Sequence, residues 1–336
     1  MKCLVTGISG FIGSHIAENL LNRGHILIGL QRAGSKLDNI KELQNNPNSS
    51  NLIIEESDLR DFNILDKIIK KHSPIDQVFH MAAQSEIPLS WEKPIETFES
   101  NSLGTLKLIT TLQNHSPKVK FLFASTGESY GNVSSENGKL VEDLLPNPEN
   151  PYGISKVAGE MICKERAASL GMHIFIVRAF SHTGPRRGKQ FSIADSAYQL
   201  AQMEQGLKND FILKVGDLSV VRTVGDVRDS AEACVLLMEK SKPGEIYNLA
   251  GQNTLTMGEI IDKLISLSAV KDQVTKVTDP NLLRRLDVKA QIPDTSKLQS
   301  TINWNYQIPF EKTLEDLLNY WREKVKEENE IFNNGD

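Results

Sequence analysis

The sequence is poor in cysteine, lacks an excess of positive charge and contains no long apolar run. Its 336 residues include three cysteines, Cys3, Cys163 and Cys234, which are too few and too scattered for a disulfide framework or a metal motif. We therefore expect buried, reduced thiols and no bound metal. The net charge of −5 argues against a general nucleic-acid binder, because phosphate contacts require a basic surface.

The absence of a transmembrane-length apolar run argues against a membrane protein. The first residues lead directly into an apolar strand pattern without the features of a signal peptide, so we expect a cytoplasmic protein. An apolar content of 39% and a mean hydropathy of −0.31 are ordinary for a globular chain. The length suits one large domain or two closely associated ones.

Short apolar runs alternate with helical stretches through the first half of the chain. These runs are continuous and rich in Ile, Val and Phe, a pattern typical of strands buried on both faces of a parallel sheet. The segments between them are long enough for crossover helices, so the sequence predicts a doubly wound α/β sheet of the Rossmann-like kind. The predicted strands are 2–6, 26–30, 52–54, 77–80, 121–124 and 174–177.

The alternation loosens from about Ser181, which indicates a smaller C-terminal α+β lobe. We predict a dinucleotide-binding domain over 1–180, which also holds the catalytic residues. Residues 181–330 would form mainly a substrate-binding lobe, with some chain returning to the first domain. The polar stretches 45–51 and 132–150 are predicted loops, and the charged tail after Lys324 is expected to fray. The helices predicted in this half are 194–205, 229–240, 257–266 and 313–326, and its strands are 211–215 and 246–249.

A glycine-rich turn, Gly-Ile-Ser-Gly-Phe-Ile-Gly over 7–13, lies between the first predicted strand and a helix predicted over 14–23. Its first glycine permits the tight turn, the second lets backbone approach a pyrophosphate, and the third lets the helix pack on the strand. The helix N-terminus would then face the phosphates. This context predicts a dinucleotide cofactor rather than a purely structural turn. The predicted contacts are Gly7, Ser9, Gly10, Phe11, Ile12 and Gly13.

The second predicted strand is followed by Gln31 and Arg32, where enzymes that use NAD usually carry a carboxylate for the ribose hydroxyls. A guanidinium suits a 2′-phosphate, so the sequence favours NADP. The alternative is that Arg32 is only a solvated loop cation.

Two further segments follow strands at the same predicted edge of the sheet. Asp58 and Leu59 could hold the adenine amine, and the small residues of Met81-Ala82-Ala83 would pass beside the cofactor.

Tyr152 and Lys156 stand four residues apart at the start of a predicted helix and therefore share one helix face. A nearby ammonium favours phenolate, so such a tyrosine can act as a base toward a hydroxyl group. A free tyrosine titrates near ~10, and use near neutral pH requires about 4 kcal/mol of selective phenolate stabilisation. With the cofactor motif, the pair indicates hydride chemistry at an alcohol or a ketone.

These motifs together resemble the extended short-chain dehydrogenase/reductase family over nearly the whole chain. Within it, the sequence is most similar to the branch of GDP-mannose 4,6-dehydratases and GDP-4-keto-6-deoxymannose reductases. The Tyr/Lys pair is common to the whole family, whereas the stretch 182–188 is narrower and points to GDP-sugars. The resemblance is carried by Ala83-Gln84-Ser85, Ser90-Trp91, Gly104-Thr105, Ser125–Glu128 with Tyr130-Gly131, 152–156, 178–188, 226–229, Asp279-Pro280 and Arg284.

The resemblance implies roles for single residues. Thr126 would bind the C4 oxygen of the sugar, and Glu128 would be the acid/base carboxylate of the dehydratases. Glu128 also follows a predicted strand end, where α/β sites open, although a surface carboxylate is the alternative. Tyr152 and Lys156 would complete the proton-handling set. His182 and Arg187 match cofactor- or substrate-binding positions, and the remaining implied substrate contacts are Ser85, Ser181, Arg222 and Arg284.

The sequence also departs from the dehydratase pattern. Ser181 replaces a usual asparagine, Thr223-Val224-Gly225 replaces a run containing tryptophan, and Arg285 replaces a proline. The C-terminal segment from Ile308 to Arg322 looks more like the reductase.

The resemblance predicts a nucleotide-sugar enzyme, first of all a GDP-mannose 4,6-dehydratase, which is a lyase that recycles its NADP within each turnover. An NADPH-dependent GDP-4-keto-6-deoxymannose reductase and a nucleotide-sugar 4-epimerase are the alternatives. A regulator that senses NADP is the non-enzyme alternative, although a sensor has no need of the proton-handling set. We expect a nucleotide-diphosphate sugar as partner, a homodimer or homotetramer, and no association with nucleic acid or membrane.

Overall fold

A computed structural model describes residues 1–132, 138–286 and 288–334, and its chain divides into two compact units. Part of the predicted loop 132–150 therefore lies outside the described residues. The first unit comprises Met1–Phe180, Ser230–Leu249 and Pro293–Asn305. The second comprises Ser181–Asp229, Ala250–Ile292 and Tyr306–Asp336.

The first unit is built on a seven-stranded parallel sheet. Its strands are β1 (Lys2–Thr6), β2 (Ile26–Gln31), β3 (Leu52–Glu56), β4 (Gln77–His80), β5 (Lys120–Thr126), β6 (His173–Ala179) and β10 (Ile246–Leu249). They lie in the order β10-β6-β5-β4-β1-β2-β3. The order reverses between β1 and β4, and ligands of doubly wound sheets bind at such a switch point. The predicted Rossmann-like sheet is confirmed.

Helices cover both faces of this sheet. Alternate residues of each inner strand enter opposite cores, so that Cys3 and Val5 pack on one side while Leu4 packs on the other. All three cysteines are buried and free, as expected. The helices are α1 (Phe11–Asn22), α2 (Phe62–His72), α3 (Ile87–Glu92), α4 (Pro94–Phe98), a π-helical turn (Glu99–Leu103), α5 (Gly104–His115), α6 (Pro151–Leu170), α8 (Val227–Lys240) and α10 (Ser296–Ile302).

One burial prediction is wrong. β3 is the edge strand, and Ile53 and Ile54 remain 37% and 39% exposed. A run of three apolar residues predicts a strand but does not show whether the strand has neighbours on both sides. The predicted polar loop 45–51 contains a short 3₁₀ turn at Ser49–Asn51, after another at Asp38–Asn45.

The second unit combines small sheets with helices. Its elements are β7 (Ser181–Thr183), α7 (Ser192–Glu204), β8 (Ile212–Val215), β9 (Val221–Asp226), β11 (Asn253–Thr256), α9 (Met257–Ser266), β12 (Thr275–Thr278), β13 (Ala290–Gln291) and α11 (Phe310–Asn334). β9 is the centre of one sheet, where β11, β13 and β7 pair with it, and β8 pairs with β12 in another. The final helix continues beyond Lys324 to Asn334, and the expected fraying of this segment stays a prediction.

Within the described ranges, no helix is both long and apolar enough to cross a membrane. The same ranges contain no group of three or more His, Cys, Asp or Glu side chains arranged to hold a metal ion.

Candidate active site

The glycine-rich turn joins β1 to α1 and requires glycine at two positions. Gly7 has φ +68°, and a Cβ atom there would lie 2.9 Å from the backbone N and Cα of Ala82. A Cβ on Gly13 would collide with the carbonyl oxygen of Gly7. Helix α1 begins at Phe11 without a side-chain cap, and Gly10 before it is exposed. Backbone thus forms the cradle that a pyrophosphate at a helix N-terminus needs, with Ser9, Phe11 and Ile12 half-buried around it.

Arg32 lies exposed just beyond the carboxyl end of β2. In the described part of the chain it makes neither an ion pair nor a side-chain hydrogen bond, whereas Asp58 is bound at both oxygens by Arg60, at 2.8 to 3.1 Å. The hydrogen bonds from Arg60, together with the charge of Arg32, hold the pKa of Asp58 below its usual value. An adenine amine at Asp58 would have to share oxygens that Arg60 already occupies. Leu59 beside it is buried.

His80, at the end of β4, links the end of β1 to the first turn of α5. Thr105 Oγ1 donates to the carbonyl of Asn101 (2.6 Å) and so accepts from His80 Nε2 (2.9 Å). His80 Nδ1 then accepts from Thr6 Oγ1 (2.7 Å), which itself accepts from the backbone N–H of Ala82 (3.1 Å). Burial lowers the pKa of His80 to about 3, so it stays neutral with one tautomer. This chain of bonds fixes the backbone around Ala82, between half-buried Met81 and Ala83.

Thr126 and Glu128 lie at the carboxyl end of β5. Thr126 is 7% exposed, and its Oγ1 accepts from the backbone N–H of Glu128 at 3.2 Å. The carboxylate Oε2 of Glu128 accepts from Asn150 Nδ2 at 2.9 Å, and the Oδ1 of Asn150 caps helix α6 by accepting from the N–H of Gly153 at 2.8 Å. A Cβ on Gly153 would lie 3.0 Å from the carbonyl oxygen of Glu128. Glu128 is therefore hydrogen-bonded to the N-cap residue of the helix that carries Tyr152.

Helix α6 carries Tyr152 and Lys156 one turn apart, as predicted from their spacing. Lys156 is 2% exposed, and its Nζ lies 4.3 Å from the ring centroid of Phe123 on β5. Burial lowers the pKa of Lys156 to about 8, although the buried carboxylate of Glu160 acts in the opposite direction. With this pKa the lysine stays mostly charged near neutral pH, and a nearby anion or hydrogen-bond acceptor would stabilise the buried charge. A phenolate or a ribose hydroxyl would be such a group.

A buried ion pair supports the strand end from behind. Arg178 on β6 donates to both oxygens of Glu160 on α6, at 3.0 and 2.8 Å, and the two residues are 1% and 0% exposed. The hydroxyls of Ser125 and Ser129 donate to the same carboxylate. The guanidinium also stacks on the ring of Tyr130 at 4.5 Å. Ser125 and Ser129 flank Thr126 and Glu128, so this network fixes the backbone that presents them.

The other predicted contacts lie apart from these groups in the sequence. Ser85 is exposed between β4 and α3 of the first unit. In the second unit, Ser181 and His182 lie on β7, where His182 is buried. Arg187 stacks on the ring of Phe191 at 3.4 Å. Buried Arg222 on β9 donates to the main-chain carbonyls of Val221 and Val288, at 2.9 and 2.8 Å, and Arg284 is exposed beyond β12.

Comparison with known proteins places this geometry in a family. The model of the family described as GDP-mannose 4,6 dehydratase matches residues 4–317. The chain belongs to the GDP-mannose 4,6 dehydratase family. Among its relatives, the GDP-6-deoxy-D-mannose reductase of Pseudomonas aeruginosa is 30% identical and covers 97% of this chain and 99% of its own. The GDP-mannose 4,6-dehydratase of Yersinia enterocolitica is 26% identical over 94% of this chain and 92% of its own.

A solved structure extends the comparison. The structure of RMD from Pseudomonas aeruginosa complexed with NADPH superposes with a TM-score of 0.79 at 28% identity and covers 97% of this chain and 100% of that one. The predicted resemblance to the dehydratase and reductase branch of the family is therefore confirmed.

Two polar residues that organise the site, Asn101 and Asn150, were not predicted from the sequence. Asn101, in the π-helical turn, donates to the carbonyl of Gln84 and to Ser155 Oγ, while its Oδ1 accepts from the N–H of Gln84. It thereby joins the segment after β4 to the residue beside Lys156. Asn150 joins α6 to Glu128. Of these two residues, only Asn150 carried a signal in the sequence: it directly precedes Pro151 and Tyr152, and a polar residue before a proline is typical of a helix N-cap.

Proposed function

We propose that the protein is an NADP-dependent GDP-mannose 4,6-dehydratase. The observation that carries the proposal is the position of the Glu128 carboxylate, bonded to the cap of the helix that bears Tyr152 and Lys156. Elimination of water from a sugar needs an additional acid/base group besides the tyrosine that serves the oxidation step. Glu128 supplies such a group beside Thr126, and the family match supports the substrate class.

In the proposed reaction, Thr126 donates a hydrogen bond to the C4 oxygen while Tyr152 takes the proton of the C4 hydroxyl. The Lys156 cation favours the phenolate form that makes this transfer possible. NADP, when bound, supplies the site that accepts the hydride from C4 and returns it at C6. The new C4 ketone acidifies the C5 hydrogen, which Glu128 removes. Glu128 also protonates the departing C6 hydroxyl, so that water leaves. When the hydride has returned at C6, C5 takes up a proton from solvent, which balances the proton that Tyr152 removed from the C4 hydroxyl and released, and no net oxidation remains.

The choice of NADP rests on Arg32. Its guanidinium is exposed at the end of β2 without a carboxylate partner in the described residues, and a 2′-phosphate would supply one. The similar structure from Pseudomonas aeruginosa was solved with NADPH, which supports the same cofactor here. The glycine cradle at Gly7 and Gly13 fits the pyrophosphate of either dinucleotide.

The proposed substrate is GDP-mannose, and the second unit would bind its nucleotide and sugar. Arg187, Arg222 and Arg284 are the proposed partners of the diphosphate and ribose, since guanidinium groups bind phosphate oxygens in pairs. Ser85, Ser181 and His182 are proposed as further contacts to the substrate or to the cofactor.

An NADPH-dependent GDP-4-keto-6-deoxymannose reductase is the second candidate. The observation in its favour is the greater identity to the Pseudomonas aeruginosa reductase, 30% against 26% for the Yersinia enterocolitica dehydratase. Reduction would use Tyr152 as proton donor to the C4 oxygen and would leave Glu128 without a required role. The reductase would consume NADPH, whereas the dehydratase regenerates its cofactor in each turnover.

The proposed assembly is a homodimer or homotetramer. Apolar side chains stay exposed on α4, the π-helical turn and α6, namely Ile95 (74%), Leu103 (49%), Ile154 (44%) and Met161 (47%). Exposed apolar surface of this kind is typical of protein interfaces. Met161→Glu should lower the mass measured by light scattering, from two chains to one if the protein is a dimer or from four chains to two if it is a tetramer. An unchanged mass would place the contact elsewhere.

Incubation of the purified protein with GDP-mannose tests the proposed activity. The dehydratase should form GDP-4-keto-6-deoxymannose with no net change in NADPH absorbance. If GDP-mannose is untouched, and NADPH is oxidised stoichiometrically when the 4-keto-6-deoxy product is supplied, the reductase assignment replaces it.

A further inference from the structure

Asn150 occupies a position between the N-terminus of α6 and the carboxylate of Glu128. It is 5% exposed, so its amide has to satisfy its hydrogen bonds within the protein. Its Oδ1 accepts from the N–H of Gly153, at 2.8 Å, and its Nδ2 donates to Glu128 Oε2, at 2.9 Å. Each end of the amide therefore has one partner of the matching kind.

Only one orientation of this amide is compatible with both partners. A rotation by half a turn would set Oδ1 against the carboxylate and the NH₂ group against the backbone N–H of Gly153. One contact would then join two acceptors and the other two donors, so both hydrogen bonds would be lost. The helix cap and the position of the Glu128 carboxylate are consequently fixed by the same side chain.

We propose that Asn150 is a positioning residue for elimination, which holds the Glu128 carboxylate in the orientation that removes the C5 hydrogen. This inference rests on the proposed role of Glu128. The backbone of Glu128 is held separately, because its N–H donates to Thr126 Oγ1 and its carbonyl oxygen accepts from the N–H of Gly131 at 3.3 Å. The amide of Asn150 therefore controls the orientation of the carboxylate without having to position its backbone.

Proteins with asparagine, serine or aspartate at position 150 distinguish the positioning of Glu128 from simple helix capping. Asparagine, serine and aspartate are about equally good N-caps, so a residue that only caps α6 should tolerate all three. Asn150→Ser keeps a cap acceptor but lacks an amide donor for Glu128. Asn150→Asp keeps the acceptor and places a second carboxylate against the first, which is repulsive.

The first measurement follows the two halves of the reaction with GDP-mannose and bound NADP. In Asn150→Ser, elimination should slow by about tenfold to a hundredfold, the usual effect of losing a hydrogen bond to a charged group, and in Asn150→Asp it should slow more. Oxidation at C4 depends on Tyr152 and should change far less, so NADPH absorbance should accumulate on the enzyme. Equal elimination rates in the three proteins would overturn the proposal.

The second measurement does not depend on activity. Melting temperatures are compared for Asn150→Asp in the wild-type background and in a Glu128→Gln background. The Asn150→Asp substitution should destabilise the protein when position 128 carries a carboxylate, but much less when it carries a glutamine, whose NH₂ group can donate to the new carboxylate. Equal destabilisation in both backgrounds would show that the two side chains are not coupled.

Two controls complete the design. Thr256→Ala removes the cap of α9, where Thr256 Oγ1 accepts from the N–H of Glu259 at 3.1 Å. It should lower the melting temperature without changing the ratio of C4 oxidation to elimination. Glu128→Gln alone tests the proposed function: if it retains full elimination activity, Glu128 is not the base, whatever the stability measurements show about Asn150.

Discussion

Replacement of Lys156 by methionine should make the protein more stable near neutral pH while it abolishes activity. The lysine is 2% exposed, and burial lowers its pKa from 10.5 to about 8. Methionine has a similar length and carries no charge, so Lys156→Met removes the unfavourable burial of the ammonium group. Activity is lost because nothing then favours the phenolate of Tyr152.

The pKa shift sets the size of the effect. A decrease from 10.5 to about 8 corresponds to about 3 kcal/mol of unfolding free energy. Between these two values the unfolded chain binds more protons than the folded one, so wild-type stability rises with pH across this window. The methionine variant has no such titration. Its advantage should therefore be about 3 kcal/mol near pH 7 and about 1 kcal/mol near pH 9.5, apart from a small loss of the cation–π contact with Phe123.

Urea unfolding of nucleotide-free wild type and Lys156→Met at the two pH values measures this difference. Lys120→Met, which changes a half-buried lysine at the start of β5, serves as the matched control for the replacement of a lysine side chain by methionine. A variant equally or less stable than wild type at both pH values would contradict a destabilising burial of the Lys156 ammonium group. It would show that the ammonium group of Lys156 is adequately solvated or paired in the folded chain.

Three further predictions concern the cofactor, the base and the buried ion pair. Arg32→Asp should weaken NADP binding about tenfold or more and reverse the preference between NADP and NAD in titrations. Tighter binding of NAD by wild type would contradict the assignment. Tyr152→Phe should abolish hydride transfer and leave cofactor affinity nearly unchanged, and retained turnover would show that Tyr152 is not the base. Glu160→Gln should lower the free energy of unfolding in urea by about 3 kcal/mol because it leaves the buried charge of Arg178 unpaired. A decrease below about 1 kcal/mol would show that the unpaired charge of Arg178 is not strongly destabilising.

The sheet was predictable because its signals are local. The strands predicted at 2–6 and 77–80 match β1 and β4, since each is a continuous apolar run bounded by polar or glycine residues. Local patterns do not say which strands are neighbours. The exposure of Ile53 and Ile54 on the edge strand β3 was therefore missed, and so was the placement of β10 beside β6 in the central sheet.

The local geometry of the candidate site was predictable, but its connections were not. The glycine turn and the Tyr152/Lys156 pair lie within short segments, so their spacing alone indicates a tight turn before a helix and two side chains on one helix face. Asn101 and Asn150 act through partners up to 54 and 22 residues away in the sequence. No local pattern indicates such bonds, because they depend on how the chain brings separate segments together.

The transfer of one hydrogen from C4 to C6 of the sugar distinguishes the proposed dehydratase from a reductase or a 4-epimerase. GDP-mannose that carries deuterium at C4 is converted by the enzyme, and the product is analysed by NMR. The proposed dehydratase would yield GDP-4-keto-6-deoxymannose with the deuterium at C6 and a solvent-derived hydrogen at C5. Absence of this product, or a product without deuterium at C6, would contradict the internal hydride return on which the proposed dehydratase activity rests.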